Sequence, residues 1–163
     1  MSMTNKDDFN QAFEHFADMF EIPKGERSKM KKILFTNIND KRAAIKSLLD
    51  VLGHHWNNDK LKEILITRDE RLSYAKEQME LFLSKVNHLA SVNRSLQAAQ
   101  KTKSSLPYLK INRGLTEFDC PIHAKHYDAV FEVDSDFWRV HPVGQHVDCY
   151  CSVRTISKSE YNN

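Results

Sequence analysis

The sequence predicts an α+β chain: a helical N-terminal two thirds, residues 1–105, then a small β unit, residues 106–163, built around a Cys/His metal knuckle. Three observations lead there. Chain breakers are scarce, with four Gly and four Pro in 163 residues. The first hundred residues are also rich in Leu, Lys, Ala and Glu, which favour helix. After Pro107 the character changes to short runs of β-branched and aromatic residues, the pattern of strands. Finally, all three cysteines and four of the eight histidines fall within residues 119–151. Each helix has one apolar face and is too short for a core of its own, so the two parts are expected to pack as one compact domain.

Taken in order, "DDFNQAFEHFADMF" puts Phe9, Phe13, Phe16 and Phe20 at helical spacing with Ala12 and Ala17 beside them. Such a stripe packs on the chain's own core or lies in a partner's groove. "EIPKGE" ends it through Pro23 and Gly25. A basic helix follows in "ERSKMKKILF", whose Arg27, Lys29, Lys31 and Lys32 form a solvated face or meet phosphates. "NINDKRAAIKSLLDVLGHH" is a helix with Asn39 or Asp40 as N-cap, a buried face of Ile45, Leu48, Leu49 and Leu52, and Gly53 as its stop. His54 and His55 read as polar surface, and a further short helix starts near Asp59.

The longest periodic stretch covers residues 69–96. Leu72, Ala75, Met79, Phe82, Val86, Leu89 and Leu96 follow alternating three- and four-residue steps, with Asn93 in the remaining slot. This heptad seam suits self-association of two subunits and a bundle helix within one chain equally. "QKTKSSLP" ends it at Pro107, and "YLKI", "AVFEVD", "FWRV" and "CSVRTIS" then read as strands.

Composition limits the function classes. Apolar residues make up 40% and charged residues 28%, enough for a core. No run of eighteen apolar residues is present, so no membrane partner is expected. The polar start "MSMTNKDDFNQ" lacks a signal-peptide core, which points to a cytoplasmic, reducing compartment. Net charge is +2; residues 1–105 hold 18 Lys/Arg against 14 Asp/Glu, and residues 106–163 hold 6 against 8. That asymmetry supports DNA binding only weakly.

In a reducing compartment, clustered Cys and His indicate a metal or catalysis more than a disulfide. Cys120 and His123 form a C-x-x-H pair; His146 and Cys149 form an H-x-x-C pair. Two such turns supply the four tetrahedral N/S ligands of a structural zinc, and a closed shell leaves no position for catalytic water. His126 could replace His123, and His141 is a weaker candidate. Cys151 also belongs to the candidate set, but in second place. If "CYCSV" is extended, the Cys149 and Cys151 sulfurs stand roughly 6.5 Å apart, too wide for one metal, which would leave Cys151 a buried thiol. A metal-dependent nuclease or hydrolase would need an open position beside an acid such as Asp128 or Asp148. No H-E-x-x-H and no deaminase signature is present.

"DCPIHAKHYDAVFEV" followed by "HPVGQHVDCYCSVRTI" resembles the C-terminal part of the phage Mu F-like (SPP1-type) minor head proteins, the head morphogenesis family. That pattern runs from an aspartate before C-x-x-C, through a strand, to a proline and histidine leading into C-x-C. Here Asp119, Cys120 and His123 match the first element, with His in place of the second Cys. Pro142, His146, Cys149 and Cys151 look like the second, with Tyr150 where arginine is usual. "ITRDERLSYAKEQM", with Arg68, Glu70 and Ala75, is similar to the family's R-T-E-type helix, with Asp69 in place of Thr. The resemblance covers residues 66–157. It implies a non-enzymatic, virion-associated or prophage-encoded protein acting with a portal or capsid partner during head assembly, and it allows a bent C-x-C that supplies two ligands.

Overall fold

The computed structural model describes residues 3–37, 40–52 and 68–162. Gly53, His54, His55 and the helix expected from Asp59 lie outside the described residues. The described part is α+β, as the sequence predicts: long helices come first, and a three-stranded sheet lies near the C-terminus. Among the described residues, no helix is long and apolar enough to cross a membrane.

Among the described residues, four helices come first: α1 (Met3–Met19), α2 (Lys24–Thr36), α3 (Lys41–Leu52) and α4 (Arg68–Thr102). Asp40 caps α3, its Oδ1 accepting from the Ala43 N–H at 3.0 Å. After α4 come β1 (Tyr108–Asn112), a 3₁₀ turn (Ala124–His126), β2 (Val130–Glu132), the short α5 (Phe137–Val140), β3 (Ser152–Ile156) and α6 (Lys158–Tyr161). The stretch "FWRV", expected as a strand, is the helical turn α5. The local reason is polar: Ser135 Oγ accepts from the Phe137 N–H at 3.2 Å, and Trp138 Nε1 donates to the Glu132 carbonyl at 2.8 Å. Both bonds fold the segment back instead of extending it.

The chain divides into two compact units, one of Met1–Ala12 with Lys85–Asn163, the other of Phe13–Ser84. In the second unit the aromatic stripe is interior. Phe13 and Phe16 are fully buried, and Phe13 and Phe20 meet the Phe82 ring edge-on at 5.4 and 5.6 Å. Ile22, Met30, Ile45, Leu48, Ala75 and Met79 complete that core. The basic face of α2 is partly committed: Arg27 pairs with Glu14 and Asp18, and Lys31 with Glu14. Lys29 and Lys32 are exposed. Of the heptad seam, Ala75, Met79, Phe82, Val86 and Leu89 are buried within the single chain, while Leu72 is exposed.

In the first unit the sheet has the order β2-β1-β3, antiparallel throughout. Tyr108 pairs with Glu132 on one side and Ile156 on the other. Alternation along β1 buries Leu109 and Ile111. They share a core with Val92 and Ala99 of α4, Val133, Val143, Val153 and all three cysteines. The cysteines therefore lie inside the unit and not on its surface.

Candidate metal centre

Each donor comes from a segment with its own local reason to bend. At Cys120–His123 the chain turns, with the Ala124 N–H bonded to the Cys120 carbonyl at 3.0 Å, and the 3₁₀ turn follows. The Tyr127 hydroxyl accepts from the Cys120 N–H at 2.7 Å and holds the turn from the other side. At residues 141–149 a second turn closes through the Cys149 N–H to the His146 carbonyl at 3.0 Å. Gly144 sits in this loop at φ +79, a conformation that favours glycine, and its N–H points at the Cys149 sulfur, 3.2 Å away.

The ligand atoms of Cys120, His123, Cys149 and Cys151 all lie within 4.8 Å of one another, and all four residues are buried. His123 Nδ1 stands 3.4 Å from both the Cys120 and the Cys149 sulfur. A tetrahedron with metal–nitrogen and metal–sulfur arms of about 2.0 and 2.3 Å has a nitrogen–sulfur edge of roughly 3.5 Å. The opposite ring nitrogen, Nε2, donates to the His141 carbonyl at 3.2 Å. That fixes the tautomer and leaves the Nδ1 lone pair facing the sulfurs, as metal-bound histidines are held. Donor chemistry and spacing thus suit a metal ion.

The electrostatics favour a thiolate at Cys149. The Cys151 thiol bonds to the Cys149 sulfur and lowers the pKa of Cys149 against the opposing effect of burial, with His123 and the Gly144 N–H adding to it. The same bond, then burial, raises the pKa of Cys151. Burial resists a proton on His123, but the Cys149 sulfur and the His141 carbonyl outweigh it, so the His123 pKa is raised.

Two placements differ from the sequence reading. Cys151 joins the cluster: its sulfur lies within 4.8 Å of the other ligand atoms, closer than the roughly 6.5 Å of an extended C-x-C. His146 does not join it. Its turn is present, but the side chain faces outward, 44% exposed, where Nδ1 accepts from the Asp148 N–H at 3.2 Å. The Gly144 N–H, not a histidine, meets Cys149 from that loop. His126 and His141 lie apart, in a cluster with Phe131, Phe137 and Trp138. Of the candidate acids, Asp128 pairs with Lys110 at 2.7 Å, and Asp148 is exposed beside His146.

Two residues absent from the sequence reading shape the centre. Lys85, fully buried on α4, donates to the Cys149 carbonyl and lies 3.9 Å from the Tyr150 ring centroid. One turn on, His88 Nε2 donates to the Cys151 carbonyl at 3.0 Å. Together they hold both ends of "CYC" against the helix. Burial lowers the pKa of each; around Lys85 the Cys149, Asp148, Cys120 and Cys151 charges oppose that effect. The signal was available: Phe82, Lys85, Leu89, Val92 and Leu96 follow a three-four rhythm, so Lys85 occupies an apolar slot.

Comparison with protein-family models, with curated proteins and with solved structures finds no match to this chain.

Proposed function

We propose that the chain is a non-enzymatic structural or interaction protein whose C-terminal unit is held together by one zinc ion on Cys120, His123, Cys149 and Cys151. The observation that carries this reading is the convergence of three sulfurs and a correctly oriented imidazole on one buried point. Three thiolates and one nitrogen form a Cys₃His set, and among divalent ions this soft, tetrahedral set favours zinc. Four protein donors close the shell, which argues against hydrolysis through a metal-bound water. The test is elemental analysis of protein purified without immobilised nickel. One zinc per chain is expected; a content near zero, with folding unchanged by chelator, overturns the reading.

The setting we favour is phage head assembly. The four converging residues are those carried by the two elements that resemble the Mu F-like minor head family, including its C-x-C. Recovery of the chain in purified heads, bound to portal or capsid protein, supports this. Its absence from them removes the assembly role and leaves the zinc site standing.

A further inference from the structure

The zinc reading leaves a charge to be accounted for. Three thiolates and a neutral imidazole around a divalent ion carry a net charge of minus one, and all four donors are buried. His88 is already engaged there, its Nε2–H donated to the Cys151 carbonyl at 3.0 Å. A buried uncompensated charge is costly, and so is a buried ammonium.

The geometry points to Lys85 as the counter-ion built into the centre, its ammonium balancing the excess negative charge of the metal–thiolate cluster. This rests on the zinc reading. The side chain is fully buried in the unit's interior. Its ammonium is tied to the carbonyl of Cys149, itself a donor residue, and caps the Tyr150 ring between Cys149 and Cys151. Asp148 also acts on Lys85, but its side chain is 68% exposed and screened by water. The three sulfurs are among the charges that act on the ammonium. With a divalent ion in place, the charges of the donor set and of Lys85 cancel. Lys85 is a positioning and charge-balancing residue, not a ligand.

The test separates charge from packing through a compensating exchange. Zinc affinity is measured by competition with a chromophoric chelator for the wild-type chain, Lys85→Arg, Lys85→Met, Cys120→His and the double variant Lys85→Met/Cys120→His. Lys85→Met, with similar bulk and no charge, is expected to weaken zinc binding about 10–100-fold, as partners just outside the ligand shell do. Lys85→Arg keeps the charge and should retain more affinity than Lys85→Met. In the double variant two thiolates and two imidazoles neutralise the ion unaided, so it should bind zinc more tightly than Lys85→Met. Equal affinity of Lys85→Met and wild type overturns the proposal, as does a loss that neither Lys85→Arg nor the double variant recovers. If Lys85→Met does not fold, the double variant decides: a folded, zinc-loaded double variant supports charge balance, and an unfolded one overturns it. A wild-type chain without zinc would instead end the reading on which this inference stands.

Discussion

Residues 13–84 fill their interior with Phe13, Phe16, Met30, Leu48, Met79 and Phe82, whereas the sheet-bearing unit places three cysteines, His123 and Lys85 in its own. The first interior is stabilised by area removed from water, at about 25 cal/mol per Å² of apolar surface. It is non-directional, so related side chains can substitute. The second rests on three strands of five, three and five residues. A sheet so small needs more than its own apolar face, and directional bonds to polar atoms supply it. The contrast is between stability spread over many contacts and stability concentrated at one point.

The sharpest way to break that contrast is to remove one donor. Cys149→Ser should release the metal and destabilise the sheet-bearing unit by several kcal/mol, on the order of what metal binding contributes to folding. Cys151→Ser should do the same, read by zinc content and thermal unfolding. Retention of metal by Cys151→Ser would return that residue to the role of a plain buried thiol. In the other unit, Phe13→Ala should cost about 3–5 kcal/mol through lost burial and the cavity left behind. Its zinc content should stay unchanged, so parallel measurements of metal and stability tell the two kinds of interior apart.

Smaller effects sharpen the picture. A Cβ on Gly114 would lie 2.4 Å from the Tyr150 carbonyl oxygen, so backbone must shift to admit it. Gly114→Ala should cost about 1–3 kcal/mol by overpacking and loosen the C-x-C, detectable as faster zinc loss to chelator. His146→Ala should be nearly silent, within about 0.5 kcal/mol, with zinc retained, since the side chain lies at the surface. Loss of metal from His146→Ala would restore the H-x-x-C assignment.

Periodic features were the legible ones. The aromatic stripe, the α3 face with Ile45 and Leu48, and the seam of α4 all repeat at a helical interval, and the interval alone places them. The Cys/His centre was legible as a set of residue types but not as a set of partners. Choosing between His146 and Cys151 depended on how close the "CYC" sulfurs come, and that segment is held by Lys85 and His88, more than sixty residues upstream. Nothing local to residues 146–151 carries that information. The strand reading of "FWRV" failed for a related reason: composition favoured extension, and hydrogen bonds through Ser135 and the Trp138 indole overrode it.

The sheet order β2-β1-β3 has a consequence for the growing chain. During synthesis β1 can first meet only β2, through three paired positions, and a two-stranded ribbon that short is marginal in water. The central strand must wait some forty residues for β3, which pairs with it at five positions from Ser152 to Ile156. Cys149 and Cys151 leave the ribosome immediately ahead of that strand. The last two sulfurs and the strand that stabilises the ribbon therefore arrive together, and until then the apolar faces of Leu109 and Ile111 have no completed sheet to bury them. A chain ending just short of residue 149 would lack two of the four clustered donors and the strand that completes the sheet.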